Sequence, residues 1–388
     1  MGIKNYISSF ILRFSNVKLK EILVDHHKYL GKRENPLKIY DRPPKNMILS
    51  PFNMIFDPID RLLLVNFEED PIYYSIELQI FHKLDIDYPL VIMYRKDNMM
   101  DIYYTNEIVI KNRKKMVTDL LTSVSFNQLD DIEYKFQFDE MGLDAYLFLI
   151  DKLEKEIEFK IKESTPEKEL TSILTPISAV SKKPEYFPIV FLKKFGMVIK
   201  KNTEIFVKIH GFLRKTTEMP IQMNKMSFYL AHYSLEPIIC NWNNIFSGNI
   251  NPIILNPPTL NISEENITFI LIRNSDYYEI KKISGKDEQD YTVSFEFSPA
   301  IPNLLSLGSN LKTKGRFSCI IDKKKGIFAG EYYLTRTGDT IEFSIQPTKG
   351  WQLFPGKLWL KTYKWVSEIQ IKDIGYIFIN SYWQRIKG

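Results

Sequence analysis

YKFQFDEMGLDAYLFLIDKLEKEIEFKIKE, residues 134–163, decides how this chain is read. In its last third, Glu156, Glu158, Lys160 and Lys162 alternate with Ile157, Phe159 and Ile161, the period of a strand with one wet face. Polar runs at 139–142 and 151–155 divide the stretch into three apolar-rich segments, so it predicts a three-stranded β-meander. Gly142 follows one such run, where a tight turn favours a residue free to take positive φ. Leu, Ala and Lys in 143–155 also suit a short helix, but Tyr146, Phe148 and Ile150 favour the strand.

A degraded copy follows as CIIDKKKGIFAGEYYLTRTGDTIEFSI, residues 319–345. At a constant offset of 184, Gly142 matches Gly326, Ala145 matches Ala329, and Ile157-Glu158-Phe159-x-Ile161 matches Ile341-Glu342-Phe343-x-Ile345. A second match, 91–102 with 269–280, keeps Ile92/Ile270, Arg95/Arg273 and Ile102/Ile280 at an offset of 178. The six-residue difference is of the kind that loops absorb. Two tandem antiparallel β domains are therefore expected.

Composition agrees with that class. A chain of 388 residues exceeds what one core normally serves, and its 26 Phe and 22 Tyr suit strands. Cys240 and Cys319 are the only cysteines, one pair and no disulfide framework, in keeping with a reducing, cytoplasmic setting. Residues 1–45 hold ten Lys or Arg against four acids, so the net charge of +5 sits in that segment and the remainder is near neutral. A nucleic-acid binder carries its basic stripe across the folded body, so nucleic acid is not an expected partner.

Taken in order, residues 1–34 predict an N-terminal helical segment. Ile3, Tyr6, Ile7, Phe10, Ile11 and Phe14 form one apolar stripe beside Lys4 and Arg13. Residues 3–14 would cover a barrel end or lie on a membrane surface. Residues 35–163 form the expected first β domain, with strands at 61–67, 72–82, 89–94 and 101–110 before the meander, and a short helix at 116–124. The Ser-, Thr-, Pro- and Lys-rich run 164–187 is the expected linker, because Pro166, Pro176 and Pro184 restrict the backbone. The second β domain, 188–388, is expected to have strands at 189–192, 204–209, 226–231, 267–272 and 292–297. A long loop follows Trp242 through 260, and closing strands lie at 357–363 and 368–372.

Few constellations point to chemistry. His26-His27 diverge by about 100° on a helix, and His82, His210 and His232 stand apart, so no metal site is expected. No G-x-S-x-G elbow or phosphate-binding glycine loop is present, and no cofactor is implied. Glu77, in YYSIELQIF beside Tyr74, is the acid set among apolar residues that burial would turn into a general acid. Glu158 and Glu342 alternate onto the polar face. Tyr229, His232 and Tyr233, in MSFYLAHYSLEP, are candidates to line a pocket with Trp242.

The repeated G-x-x-A…I-x-F units and the Trp-rich end (Trp351, Trp359, Trp365, Trp383) resemble the double lipocalin-like proteins related to carotenoid 1,2-hydratases and the AttH family. The Trp-Trp-Tyr of that family is replaced by Ile72-Tyr73-Tyr74, and its Asp-His-x-Trp-Gly by Gly375-Tyr376 with Trp383. The resemblance implies two lipocalin-like barrels with an apolar lipid or isoprenoid site in or between them. No catalytic residue carries over. The first expectation is therefore binding of a small apolar ligand lined by Tyr74, Glu77, Tyr229, His232, Tyr233 and Trp242. Cofactor-independent acid catalysis of the hydratase or cyclase type on an isoprenoid is the alternative. A non-catalytic structural or interaction protein with self-filled interiors is the second.

Overall fold

The computed structural model describes residues 46–110, 124–166, 168–175, 184–220, 222, 225–256, 260–264, 266–323, 325–350, 363–373 and 375–386. Most of them are strand. The first strands are β1 (Met47–Ile48), β2 (Met54–Asp57), β3 (Arg61–Asn66), β4 (Tyr73–Lys83), β5 (Ile86–Arg95), β6 (Met100–Tyr104) and β7 (Val124–Gln128). The meander of 134–163 follows as β8 (Glu133–Asp139), β9 (Gly142–Ile150) and β10 (Glu156–Glu163). Next come β11 (Thr171–Leu174), β12 (Phe187–Ile199), β13 (Thr203–Ile209), β14 (Phe212–Arg214) and β15 (Phe228–Trp242). The remainder comprises β16 (Phe246–Asn249), β17 (Ile253–Ile254), β18 (Asn261–Glu264), β19 (Ile267–Asn274), β20 (Tyr277–Lys286) and β21 (Thr292–Ile301). It ends with β22 (Lys312–Ile321), β23 (Lys325–Thr337), β24 (Thr340–Gly350), β25 (Tyr363–Asp373) and β26 (Tyr376–Arg385).

These strands build three main sheets. A nine-stranded sheet runs β11-β12-β15-β3-β4-β5-β6-β7, with β2 alongside β15; a five-stranded sheet runs β14-β13-β10-β9-β8. A ten-stranded sheet takes in β16 and β18 through β26. Pairing is antiparallel except between β6 and β7. The nine- and five-stranded sheets pack face to face. Leu63, Val65, Ile76, Leu78 and Val91 meet Leu143, Leu147, Ile157, Phe159 and Ile161 in one core. The ten-stranded sheet buries its inner face against Phe187, Ile189, Ile238, Cys240 and Trp242, and against Ile48, Leu49, Phe52 and Met54.

Three expectations are corrected here, and a fourth falls outside the described residues. The sheets are not closed barrels. The edge strands β16 and β18 of the ten-stranded sheet are not joined. No α-helix occurs among the described residues, and the helices expected at 1–34 and 116–124 lie wholly or almost wholly outside them. The run 164–187 does not divide the strand systems, because β10 pairs with β13 and β3 with β15 across it. Strands between 187 and 242 thus complete the first sandwich, and the ten-stranded sheet starts after Trp242. The expected loop after Trp242 contains β16 and β17.

The sequence repeat does not carry through as a structural one. Ile157, Phe159 and Ile161 pair with Leu149, Leu147 and Ala145, whereas Ile341, Phe343 and Ile345 pair with Arg336, Leu334 and Tyr332. The hairpin loop between Ile150 and Glu156 is five residues long, whereas Thr337 and Thr340 enclose two. The resulting slip is three residues, and an odd slip reverses which side chains face inward. Leu149 is buried, but its counterpart Tyr333 is exposed. The meander belongs to the five-stranded sheet beside β13 and β14, while its counterpart belongs to the ten-stranded sheet.

One turn is strained. Lys83 pairs with Ile86 across a two-residue turn in which Leu84 and Asp85 have φ of 53° and 60°. Leu84 is 82% exposed, so nothing buried repays its left-handed backbone. Leu84→Gly or Leu84→Asn is expected to raise stability by about 1 kcal/mol in chemical denaturation.

Candidate functional site

Where the five-stranded sheet meets the far end of the nine-stranded sheet, charged groups and tyrosines converge. Alternation along β6 sends Ile102 to the outer face and Asp101 with Tyr103 to the inner one, and all three are buried. The Asp101 carboxylate accepts from the Tyr73 hydroxyl at 2.8 Å, from Arg95 at 3.4 Å and from Lys152. Arg95 also grips Asp97 at 2.8 Å. Lys152 lies on the β9–β10 loop, so this cluster fastens one sheet to the other. Burial, with Tyr103 and Asp101 adding to it, pushes the Tyr73 phenol far above its ordinary value, and Tyr73 therefore stays a donor.

Beside this cluster, Asp151 accepts the Leu153 and Lys155 amides at 2.8 and 3.0 Å and bonds the His210 ring at 2.7 Å. The bond ties the β9–β10 loop to the β13–β14 turn, where His210 has φ of 54°. Leu153 on the β9–β10 loop and Phe212 and Leu213 on β14 are 54%, 66% and 72% exposed. Asp101 is ringed by two cations and a hydroxyl. Its oxygens are acceptors already in use.

A second buried cluster lies at the other end of β10. Strand alternation that turns Lys160 and Lys162 outward carries Glu163 inward with Phe159 and Ile161. Its carboxylate accepts the Leu143 amide at 3.0 Å, the Ile199 amide at 2.9 Å and the Tyr233 hydroxyl at 3.2 Å, and it pairs with Lys168. Gly142, at φ of 113°, makes room: a Cβ there would stand 2.8 Å from Glu163 Cβ. Burial lowers the Lys168 pKa, opposed by Glu163, and its ammonium sits 4.8 Å from the Tyr233 ring centroid.

A third cluster joins the nine-stranded sheet to the ten-stranded one. Lys193 contacts Glu236 at 3.0 Å and Asp322 at 3.1 Å and lies 3.6 Å from the Tyr291 ring centroid. Burial opposes ionisation of Glu236, but bonds from Lys194, Tyr291 and Lys193 outweigh it and hold the pKa down to about 2 from an ordinary 4.5. A depressed carboxylate contributes stability fully above its unfolded pKa and loses it as pH falls through the folded one. The expected loss is about 2 kcal/mol between about pH 4.5 and 2, and Glu236→Gln is expected to abolish that part of the acid-unfolding profile.

The six expected pocket residues do not converge. Tyr74 and Glu77 share one neighbourhood, since the Tyr74 ring lies 6.2 Å from that of Tyr94, whose hydroxyl donates to Glu77 at 2.6 Å. Gln79 donates to Glu77 as well. Tyr233 belongs to the Glu163 cluster. His232 points to the opposite face, against the Phe195 ring at 5.6 Å, and desolvation lowers its pKa to about 4. Tyr229 is half-buried at the margin of the sandwich core. Trp242 stacks on Phe295 at 3.8 Å in the other core. Strand alternation alone separates His232 from Tyr233 and was legible beforehand.

Sequence reasoning passed over Asp101, Lys152, Asp151, His210, Glu163 and Lys168. Glu163 had a usable signal, the inward phase of β10. Lys152, Asp151 and His210 sit in loops, where no period reveals a partner. A cavity of about 290 Å³ opens at the β23–β24 bulge, lined by Arg316, Glu331, Thr348 and Lys349 with Phe317, Ala329 and Gly330. Its polar walls differ from the apolar lining expected of a lipid site. Among the described residues no group of His, Cys, Asp and Glu is arranged to hold a metal ion, and no helix is long and apolar enough to cross a membrane. No family model, curated protein or solved structure matches the chain.

Proposed function

We propose that this chain is a non-catalytic interaction protein whose interiors are occupied by its own side chains. One observation carries the reading: the inner face of the ten-stranded sheet is filled by mutually stacked rings. Trp242 lies 3.8 Å from Phe295, Phe187 lies 4.8 Å from Trp383, and Phe52 stacks on Phe297 at 5.6 Å. An apolar ligand would have to displace them. The acids of the two inter-sheet clusters in the sandwich, Asp101 and Glu163, are engaged by Lys or Arg, which favours a structural role over acid catalysis. Leu153, Phe212 and Leu213 leave apolar side chains exposed and available for contact near the Asp151–His210 bond.

Native mass spectrometry of the protein purified from its own source, with titration of a fluorescent fatty-acid probe, tests this reading. The expected result is the bare polypeptide mass and no saturable probe signal. A retained lipid at one per chain, or stoichiometric probe binding, would overturn it and restore the apolar-carrier reading.

A further inference from the structure

The chain has two cysteines, and its topology brings them to one place. Cys240 lies on β15 of the nine-stranded sheet, Cys319 on β22 of the ten-stranded sheet, and both are fully buried in the same core. Two anchors set the alignment of β15 over β22. At one end Trp242 packs against Phe317, 5.9 Å between ring centroids. At the other, Glu236 pairs in register with Lys193, which reaches Asp322 at 3.1 Å. Along β15 the course runs from 242 to 236, and along β22 from 317 to 322. Cys240 lies one third of the way along the first course, and Cys319 two fifths of the way along the second. Alternation points both side chains into the shared core, Cys240 in phase with Trp242 and Cys319 in phase with Phe317. Phe295, which stacks on Trp242, is the register partner of Cys319, which places the two strands together independently.

We infer that Cys240 and Cys319 form an inter-sheet disulfide site, a covalent staple between the first sandwich and the ten-stranded sheet. β-Sandwiches accept such bridges where two cysteines oppose each other across the layers. The thiols also feel one another: burial, and then Cys240, push the Cys319 thiol well above its ordinary value. Full burial makes both inert in the closed protein, so the oxidant meets them during folding or on opening. The oxidant is a low-molecular-weight disulfide. One protein thiolate attacks it and releases one small thiol, giving a mixed disulfide; the second protein thiolate then displaces the other small thiol. Two protein S–H bonds are lost, one S–S bond forms, and the small disulfide is reduced to two thiols.

The test is to refold the full chain from denaturant in oxidised glutathione and, in parallel, in reduced glutathione alone, with acid quench, N-ethylmaleimide trapping and peptide mapping. The expected product in the oxidised arm is a folded monomer in which the Cys240 and Cys319 peptides are joined, with a melting temperature raised by roughly 5 °C through closure of a loop of about 80 residues. The Cys319→Ser variant is expected to melt at the same temperature in both arms. Folded monomer carrying two maleimides, two glutathiones or only intermolecular bridges would overturn the inference. Should refolding fail, the same mapping on native protein held in sub-denaturing urea with oxidised glutathione decides by the same products.

Discussion

Glu163→Ala is expected to lower unfolding free energy by about 3–5 kcal/mol, the largest loss from any single charged residue in the first sandwich. The carboxylate is buried, pairs with a buried Lys168, and accepts two backbone amides and the Tyr233 hydroxyl. Removing it strands an ammonium and three donors in an apolar interior. Those donors come from both layers, Leu143 from the five-stranded sheet and Ile199 and Tyr233 from the nine-stranded one, so the clasp between them opens. Lys168→Met is expected to cost less, because Glu163 keeps its amide and hydroxyl donors. Urea denaturation of both variants checks the order, and equal losses would show that the ion pair outweighs the amides.

Trp242→Ala is expected to cost about 3–5 kcal/mol as well, for a different reason. The side chain is fully buried and meets Phe295, Phe317, Phe187 and Trp383. Those rings come from β21, β22, β12 and β26, so truncation leaves a cavity at the junction of two sheets rather than inside one. The loss is therefore expected at the junction first. Hydrogen exchange should accelerate in β21 and β22 while the β9 and β10 amides keep their protection. Uniform acceleration across both would mean that the two cores unfold as one unit.

How far the fold was legible follows from the kind of information each element carries. The meander at 134–163 is local: alternation, turn residues and aromatic content all agree over thirty residues, and β8–β10 form as read. The same holds for β3, β4, β13 and β19. β15 was underestimated, because none of its residues over 228–242 is exposed on either face, which leaves no clear period to follow. Pairing is another matter. That β10 turns to β13, and that β15 inserts beside β3, depends on contacts between segments far apart in sequence, and proline content at 164–187 says nothing about which edge the chain will rejoin. For the candidate site, Glu163 was readable from strand phase. The Asp101–Lys152 and Asp151–His210 contacts were not, since each joins a strand or turn to a loop whose course is set by the fold.

By itself the sequence determined the strand class, the facing of most side chains and the lack of recognisable cofactor motifs, since period and residue type act over a few neighbours. Tertiary structure alone decided that the sheets stay open, that the matched repeat is out of register, and that Cys240 and Cys319 share one core. The physical reason is the same in each case. An antiparallel strand specifies which face it buries but not which strand it hydrogen-bonds, and a three-residue change in one turn is enough to exchange the faces.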